Sequence, residues 1–190
     1  MGSNYTTLSL GEVLEDKGYI RGPFGSALKR PEMKSSGIPV YEQQHAIYDN
    51  RVFRFFIDND KFNELKRFQV KTNDLIISCS GTVGKVSIIN EDDPKGIISQ
   101  ALLILRANPD VILPLYLKYF FSWDYGYNSI ISRSSGSVQV NIAKRDIIES
   151  ISISLPDIQT QKRIVSILKC IDDKIAVNTT INENLRLQAA

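Results

Sequence analysis

The chain has 190 residues, 43% of them hydrophobic and 23% charged, with 23 Lys plus Arg against 21 Asp plus Glu. That is ordinary globular composition, enough for one domain with an appendage or two small domains, and it excludes a wholly disordered chain. The net charge of +2 neither announces nor excludes a nucleic-acid partner; Cys79, Cys170 and the single His45 exclude a Cys/His zinc cluster within one chain and leave one candidate base for a His-based triad.

No apolar run approaches the roughly 20 residues of a membrane span. The N-terminus lacks the basic-then-apolar order of a signal peptide, so a cytoplasmic protein is the simplest expectation. Along the body, Gly37–Tyr41 and Val52–Ile57 read as strands, the second flanked by Asn50 and by the turn Asp58-Asn59-Asp60. Leu75–Cys79 follows Asp74, and Val83–Ile89 follows a glycine turn and runs into the polar loop Asn90–Pro94. Ala101–Leu105 is strand-like. Pro114–Trp123 reads as a helix with a thick apolar face and Pro114 near its start. Ile151–Leu155 alternates with period two. Several strands against few helices predict an α+β body with a curled sheet and flanking helices.

The character changes at Leu155-Pro156-Asp157, and from Ile158 to Ala190 there is neither glycine nor proline. This predicts a body over 1–156 and one long helix over 157–190, with Asp157 as its N-cap and a length of about 50 Å. Ile164, Leu168, Ile171 and Ile175 follow the spacing of a coiled-coil seam, which continues through Asn178, Asn182 and Leu185. Asparagine on a seam costs stability but can fix register and orientation. Such a helix either folds back on its own domain or pairs with another long helix, and its length favours pairing.

Three chemical motifs fail on inspection. Gly81-Thr82-Val83-Gly84-Lys85 resembles a phosphate loop, but Cys79 stands where a glycine is needed and Val86 where Ser or Thr should hold magnesium; a tight turn is the simpler reading. Glu64 and Lys66 with Asp49 or Asp58 resemble a metal-dependent nuclease set, but the surrounding pattern gives a charged solvated face. His45 has no assignable nucleophile beside it. Two polar clusters remain. One is Arg21–Arg30, in which Lys29 and Arg30 are the candidate phosphate contacts. The other is Arg133-Ser134-Ser135-Gly136-Ser137-Val138-Gln139-Val140-Asn141 with Lys144 beyond it. Arg and Lys hold phosphates or guanine edges, and Gln and Asn pair with adenine. Gln43-Gln44-His45 is a further polar run that could face a groove.

The segments Leu10-Gly11, GPFGSAL from Gly22 to Leu28, Gly37–Val40, DLIISCSGTVGK from Asp74 to Lys85, Gln100, and LPDIQTQKRIVSIL from Leu155 to Leu168 follow one another in order. Together with Ile171–Ile175 and Asn182–Leu185, this chain resembles the specificity subunit of type I restriction-modification systems over nearly its whole length. That family usually carries two DNA target recognition domains and two conserved helical regions. The helices pair antiparallel as a ruler and dock the modification subunits.

The resemblance therefore implies a half-sized subunit, natural or cut from a longer chain, with one recognition domain and one helical region. It implies a non-catalytic role: double-stranded DNA as ligand, methyltransferase and restriction subunits as partners, and self-association through the C-terminal helix to read an interrupted palindrome. S-adenosylmethionine, ATP and magnesium would belong to the partner subunits, and none to this chain. The expected DNA-contacting residues are Lys29, Arg30, Thr82, Lys85, Arg133, Ser135, Ser137, Gln139, Asn141 and Lys144. Helix pairing is expected through Ile164, Leu168, Ile171, Ile175, Asn178, Asn182 and Leu185. A non-DNA interaction scaffold and, more remotely, a nuclease using Glu64 and Lys66 are the alternatives. The 1–157 stretch holds 18 basic and 18 acidic side chains and the tail holds 5 and 3, so any DNA-binding surface must come from local segregation of charge.

Overall fold

The computed structural model describes residues 5–24, 27–134 and 141–188. Its centre is a four-stranded antiparallel sheet in the order β2 (Leu14–Arg21), β8 (Leu102–Ala107), β5 (Leu75–Ser78), β6 (Val86–Ile88). The sequences LIIS and LLIL lack the alternation of a half-wet sheet because both faces are covered. Leu75, Ile77, Leu103 and Leu105 pack toward α3 (Pro114–Ser122) and α4 (Asp124–Ile131), through Leu117, Phe121 and Ile130. Ile76, Leu102 and Ile104 face the opposite way and meet Tyr41, Ala46 and Ile98.

Of these, Tyr41 and Ile98 belong to a second sheet, β4 (Phe56–Ile57), β3 (Ile38–Tyr41), β7 (Ile97–Ile98), in which β3 and β7 run parallel. A third pairs β1 (Thr6–Ser9) with β9 (Ser152–Leu155), joining the two ends of the body. The α+β class and the long helix are as expected. The single curled sheet is not what forms: strands are divided among three short sheets, because the central one is sandwiched on both faces rather than closed on itself. The expected strand Val52–Ile57 shrinks to its last two residues. Phe53 turns instead toward Tyr41 and His45, and Arg54 forms a two-pronged pair with Glu42 at 3.1 and 2.7 Å.

Asp74, fully buried at the start of β5, accepts hydrogen bonds from Arg106 Nε at 2.7 Å and Nη2 at 2.8 Å. Burial pushes its carboxyl pKa upward, and the guanidinium opposes that. In α1 (Gln43–Tyr48) His45 is fully buried. The Glu42 N–H donates to its Nδ1 at 2.7 Å, so the proton sits on Nε2, which donates to the Val52 carbonyl at 3.0 Å. His45 is a structural, neutral imidazole. The acids of the rejected nuclease reading are dispersed: Asp58 caps α2 (Asn59–Glu64) and pairs with Lys34, and Glu64 pairs with Lys61. Among the described residues no group of three or more His, Cys, Asp or Glu could hold a metal ion.

The last element is α6 (Ile158–Gln188), 31 residues and about 46 Å long. No described helix is long and apolar enough to cross a membrane. Asp157 caps α6 as expected, accepting the Thr160 N–H at 2.9 Å. Gln161, 1% exposed, anchors it: Oε1 accepts from Leu113 N–H at 3.0 Å, while Nε2 donates to the carbonyls of Val111 at 3.2 Å and Pro156 at 3.0 Å. One heptad and a half further on, Asp172 accepts from Tyr119 Oη at 2.8 Å and lies 3.6 Å from Lys118 Nζ. Ile164 and Leu168 are half-buried at this root, and from Lys169 onward the helix stands exposed.

Gln161→Leu leaves one N–H and two carbonyls without partners and should cost about 1–3 kcal/mol; urea unfolding of the full chain measures it. The His45 pKa lies below its ordinary 6.5, chiefly through burial. The unfolded chain therefore binds the extra proton first, and this stabilisation is complete above about pH 6.5 and is lost as pH falls below it, by up to ~1.4 kcal/mol per pH unit. Denaturation midpoints at pH 7.5 and 5.5 should differ in the native chain and differ less in His45→Gln.

Candidate nucleic-acid interface

Four strands end at one place. Arg21 closes β2, Gln43 follows β3, Ser80 lies just past β5, and Ser99-Gln100 follow β7. Beyond them Asn141 forms an isolated antiparallel bridge with Ser80. Together these ends line a cavity of about 480 Å³, with Phe24 83% exposed at its mouth. A second cavity of about 510 Å³ adjoins it through the shared Pro23, Gln100 and Ala101, and is lined by Lys29, Arg30, Met33, Glu42 and Phe55. The two form one groove, amide-rich at one end and basic at the other.

Local chemistry explains the shape. A Cβ on Gly22 would lie 1.9 Å from the Ser99 carbonyl oxygen, so only glycine lets β2 leave the sheet beside the Ser99–Gln100 backbone; its N–H donates to Leu102 O at 2.9 Å. Gln43 Oε1 accepts the Ser80 N–H at 3.3 Å, which ties the start of α1 to the end of β5. The Gly81–Lys85 segment is the tight turn expected from sequence: Gly81 and Gly84 have φ of 68° and 84°. Glu42, the acid in the groove wall, is held by Arg54. Arg21 differs from the other groove residues. Its Nη1 is buried and has no hydrogen-bond partner among the described residues, an arrangement that is costly unless a ligand supplies an acceptor.

The expected contact residues divide. Lys29, Arg30 and Asn141 come together in the groove. Thr82 is exposed on the turn that follows Ser80. Lys85 sits with Nζ 4.6 Å over the Tyr127 ring of α4. Lys144 is exposed at the N-cap of α5 (Arg145–Glu149). Arg133 lines a separate cavity of about 400 Å³ with Tyr125 and Ser152, its Nη1 donating to Ser129 O at 2.7 Å. Ser135, Ser137 and Gln139 lie outside the described residues. Sequence reading missed Arg21, Ser80 and Gln100 as groove residues; the available signal was a polar side chain just past the end of an apolar strand.

Comparison with known proteins agrees with this layout. The family model for the type I restriction modification DNA specificity domain matches residues 3–187. The chain is 29% identical over 104 residues to the type I restriction enzyme HindI specificity subunit of Haemophilus influenzae, covering 54% of this chain and 22% of that protein. It is 32% identical over 116 residues to the putative MjaX specificity subunit of Methanocaldococcus jannaschii, covering 61% and 26%. Among solved structures, it resembles the type I restriction-modification S subunit from M. genitalium with a TM-score of 0.66 at 13% identity, covering 92% of this chain and 41% of that one. It resembles the HsdS subunit from Thermoanaerobacter tengcongensis with a TM-score of 0.63 at 19% identity, covering 93% and 39%. A chain from a type I R-M system, solved for its complex assembly and conformational transition, gives 0.69 at 19% identity, covering 93% and 40%. The matches span about a quarter of the curated relatives and about 40% of the solved chains. With its family match running through the body and nearly the whole of α6, the chain belongs to the type I restriction modification DNA specificity domain family.

Proposed function

We propose that residues 1–156 form a DNA target recognition domain that reads one half of a bipartite site, and that 157–190 form the helical spacer that sets the distance to the other half. The chain itself performs no chemistry. It directs methyltransferase subunits, and through the complex a restriction subunit, to the target in the cytoplasm; S-adenosylmethionine, ATP and magnesium are used by those partners. Two copies joined through α6 would read an interrupted palindrome, since two-fold protein symmetry maps onto DNA symmetry.

The observation that carries this reading is the groove at the strand ends. It joins a buried Arg21 nitrogen, which has no hydrogen-bond partner among the described residues, and amide side chains, the groups that read base edges, to Lys29 and Arg30, which suit phosphates. Lys144 and Thr82 are exposed flanking contacts, and Arg133 and Lys85 serve the same DNA from outside the groove. Arg21→Ala should lose about 1–3 kcal/mol on the cognate site and relax preference at one base position. Lys29→Ala should weaken all duplexes alike and reduce the slope of log K against log salt by about 1. Titration of cognate and scrambled duplexes at several salt concentrations, with the partner methyltransferase present, measures both. Equal loss on both duplexes for Arg21→Ala would remove it from base reading. Methylation-site sequencing of cells carrying the whole system returns the target and its symmetry.

A further inference from the structure

We infer that Phe24 is a wedge that enters the base stack of the target duplex, so that part of the half-site is read through how easily one base step opens. This rests on the DNA-recognition reading above and names a residue and a mode of reading within it.

Among the described residues no large hydrophobic side chain is more exposed than Phe24, at 83%. Exposed Trp123 and Tyr125 pack on each other with ring centroids 5.9 Å apart, whereas no described ring packs against Phe24. The backbone beneath it is nonetheless fixed. Gly22 lies against the Ser99 carbonyl and donates its N–H to Leu102 O at 2.9 Å. Pro23 restricts its own φ, and Phe24 O accepts the Ala27 N–H at 2.8 Å. An apolar ring is thus held out in water on a short, pinned segment. A ring that served only folding would gain by lying down on the core, and this one is held away from it.

The surroundings of the ring select its occupant. In the cavity that Phe24 lines, the other long side chains are all polar: Arg21, Gln43, Gln100 and Asn141. Lys29 and Arg30 line the adjoining cavity. The ring therefore stands in one groove with groups that bond base edges and cations that suit phosphates. A duplex has the matching layout, with flat apolar planes stacked between polar edges and an anionic backbone. Phenylalanine is among the side chains that proteins insert between base steps.

The energetics make such a wedge selective. Burying a phenylalanine ring is worth roughly ten- to a hundredfold in an equilibrium, and partly unstacking one base step costs about as much. The net effect then turns on the step itself. Pyrimidine–purine steps open easily and A-tracts are stiff, so Phe24 favours half-sites with a pyrimidine–purine step at its position. That preference needs no hydrogen bond to either base.

The test uses the full chain with its partner methyltransferase and the target found by methylation-site sequencing. The fluorescent adenine analogue 2-aminopurine, which brightens on unstacking, replaces successive purines of one half-site other than the methylated adenine. Binding of the native chain should raise the signal about threefold at one step. Phe24→Ala should abolish that rise, and Phe24→Leu, which keeps an apolar wedge, should retain most of it. The side chain is exposed, so both variants should keep the native urea midpoint. A nick that keeps its phosphate, placed at the same step, should tighten binding of the native chain about tenfold and leave Phe24→Ala unchanged, since only the native chain opens the step. A rise that persists in Phe24→Ala assigns the unstacking to another group and overturns the wedge. Cognate-specific binding with no rise at any position also overturns it, while leaving DNA recognition standing. Equal binding of cognate and scrambled duplexes removes the recognition reading itself, and the wedge with it.

Discussion

Gln161 makes three hydrogen bonds in a place that no water reaches, and the direction of the long helix depends on them. Its amide bridges the segment leading into α3, at Val111 and Leu113, and the hinge residue Pro156. An amide buried beside apolar side chains is stable in one orientation, because any rotation leaves several polar groups unpaired at once. Eleven residues later, Asp172 makes a second attachment to Tyr119 and Lys118 on α3. Two attachments on one helix face turn a flexible appendage into a rigid lever. A helical spacer can define a distance between DNA half-sites only if it leaves the body at a fixed angle, so the buried amide links fold to proposed function.

The groove depends on a different constraint, the close approach of backbones at the strand ends. β2, β3, β5 and β7 stop within one region because the central sheet is covered on both faces, which brings the second sheet against it. Gly22 permits that approach and the Gln43–Ser80 bond holds it. Polar side chains placed just past rigid strands are positioned by the core while they face solvent. A recognition surface needs that combination, since sequence discrimination is lost when the reading groups move by an ångström or so.

Local signals made part of this legible in the sequence. The unbroken apolar runs Leu75–Ser78 and Leu102–Leu105, the alternation of Ile151–Leu155, the Asp157 cap and the absence of Gly and Pro in α6 are properties of short windows, and the structure contains each of those elements. Non-local pairings were not legible. β1 carries no strong strand signal and exists because β9, almost 150 residues away, offers it a ladder. Phe53 sits in a run of strand-forming residues, yet its ring is drawn to His45 and Tyr41. Val52–Ile57 therefore follows tertiary packing rather than propensity. Arg21 stood in plain view at the head of a basic segment, but its importance lies in the burial of one nitrogen, which sequence does not encode. The helix seam was half legible. Its residues all fall on one helix, but Ile164 and Leu168 are partly buried against the body, and the stripe is exposed only from Ile171 onward.

A net charge of +2 conceals how the charges are used. Many of the acids in the body are already engaged: Asp74 with Arg106, Glu42 with Arg54, Asp93 with Arg51, Glu32 with Lys61, Asp58 with Lys34. Each pair removes one charge of each sign from the far field, so what DNA encounters is set by the cations left exposed, and Lys29, Arg30 and Lys144 are among them. Single exposed cations of this kind each attract a duplex weakly at physiological salt, since one phosphate contact adds only about one unit to the salt slope. In the proposed function, affinity gains from a second body on the same DNA. Pairing through the exposed apolar stripe on α6, as proposed, would supply the means, because joining two weak readers at a fixed separation raises the effective concentration of the second once the first has bound. In the proposed function, weak electrostatics in the body and the exposed stripe in the tail answer one physical need, a second recognition domain held at a defined spacing.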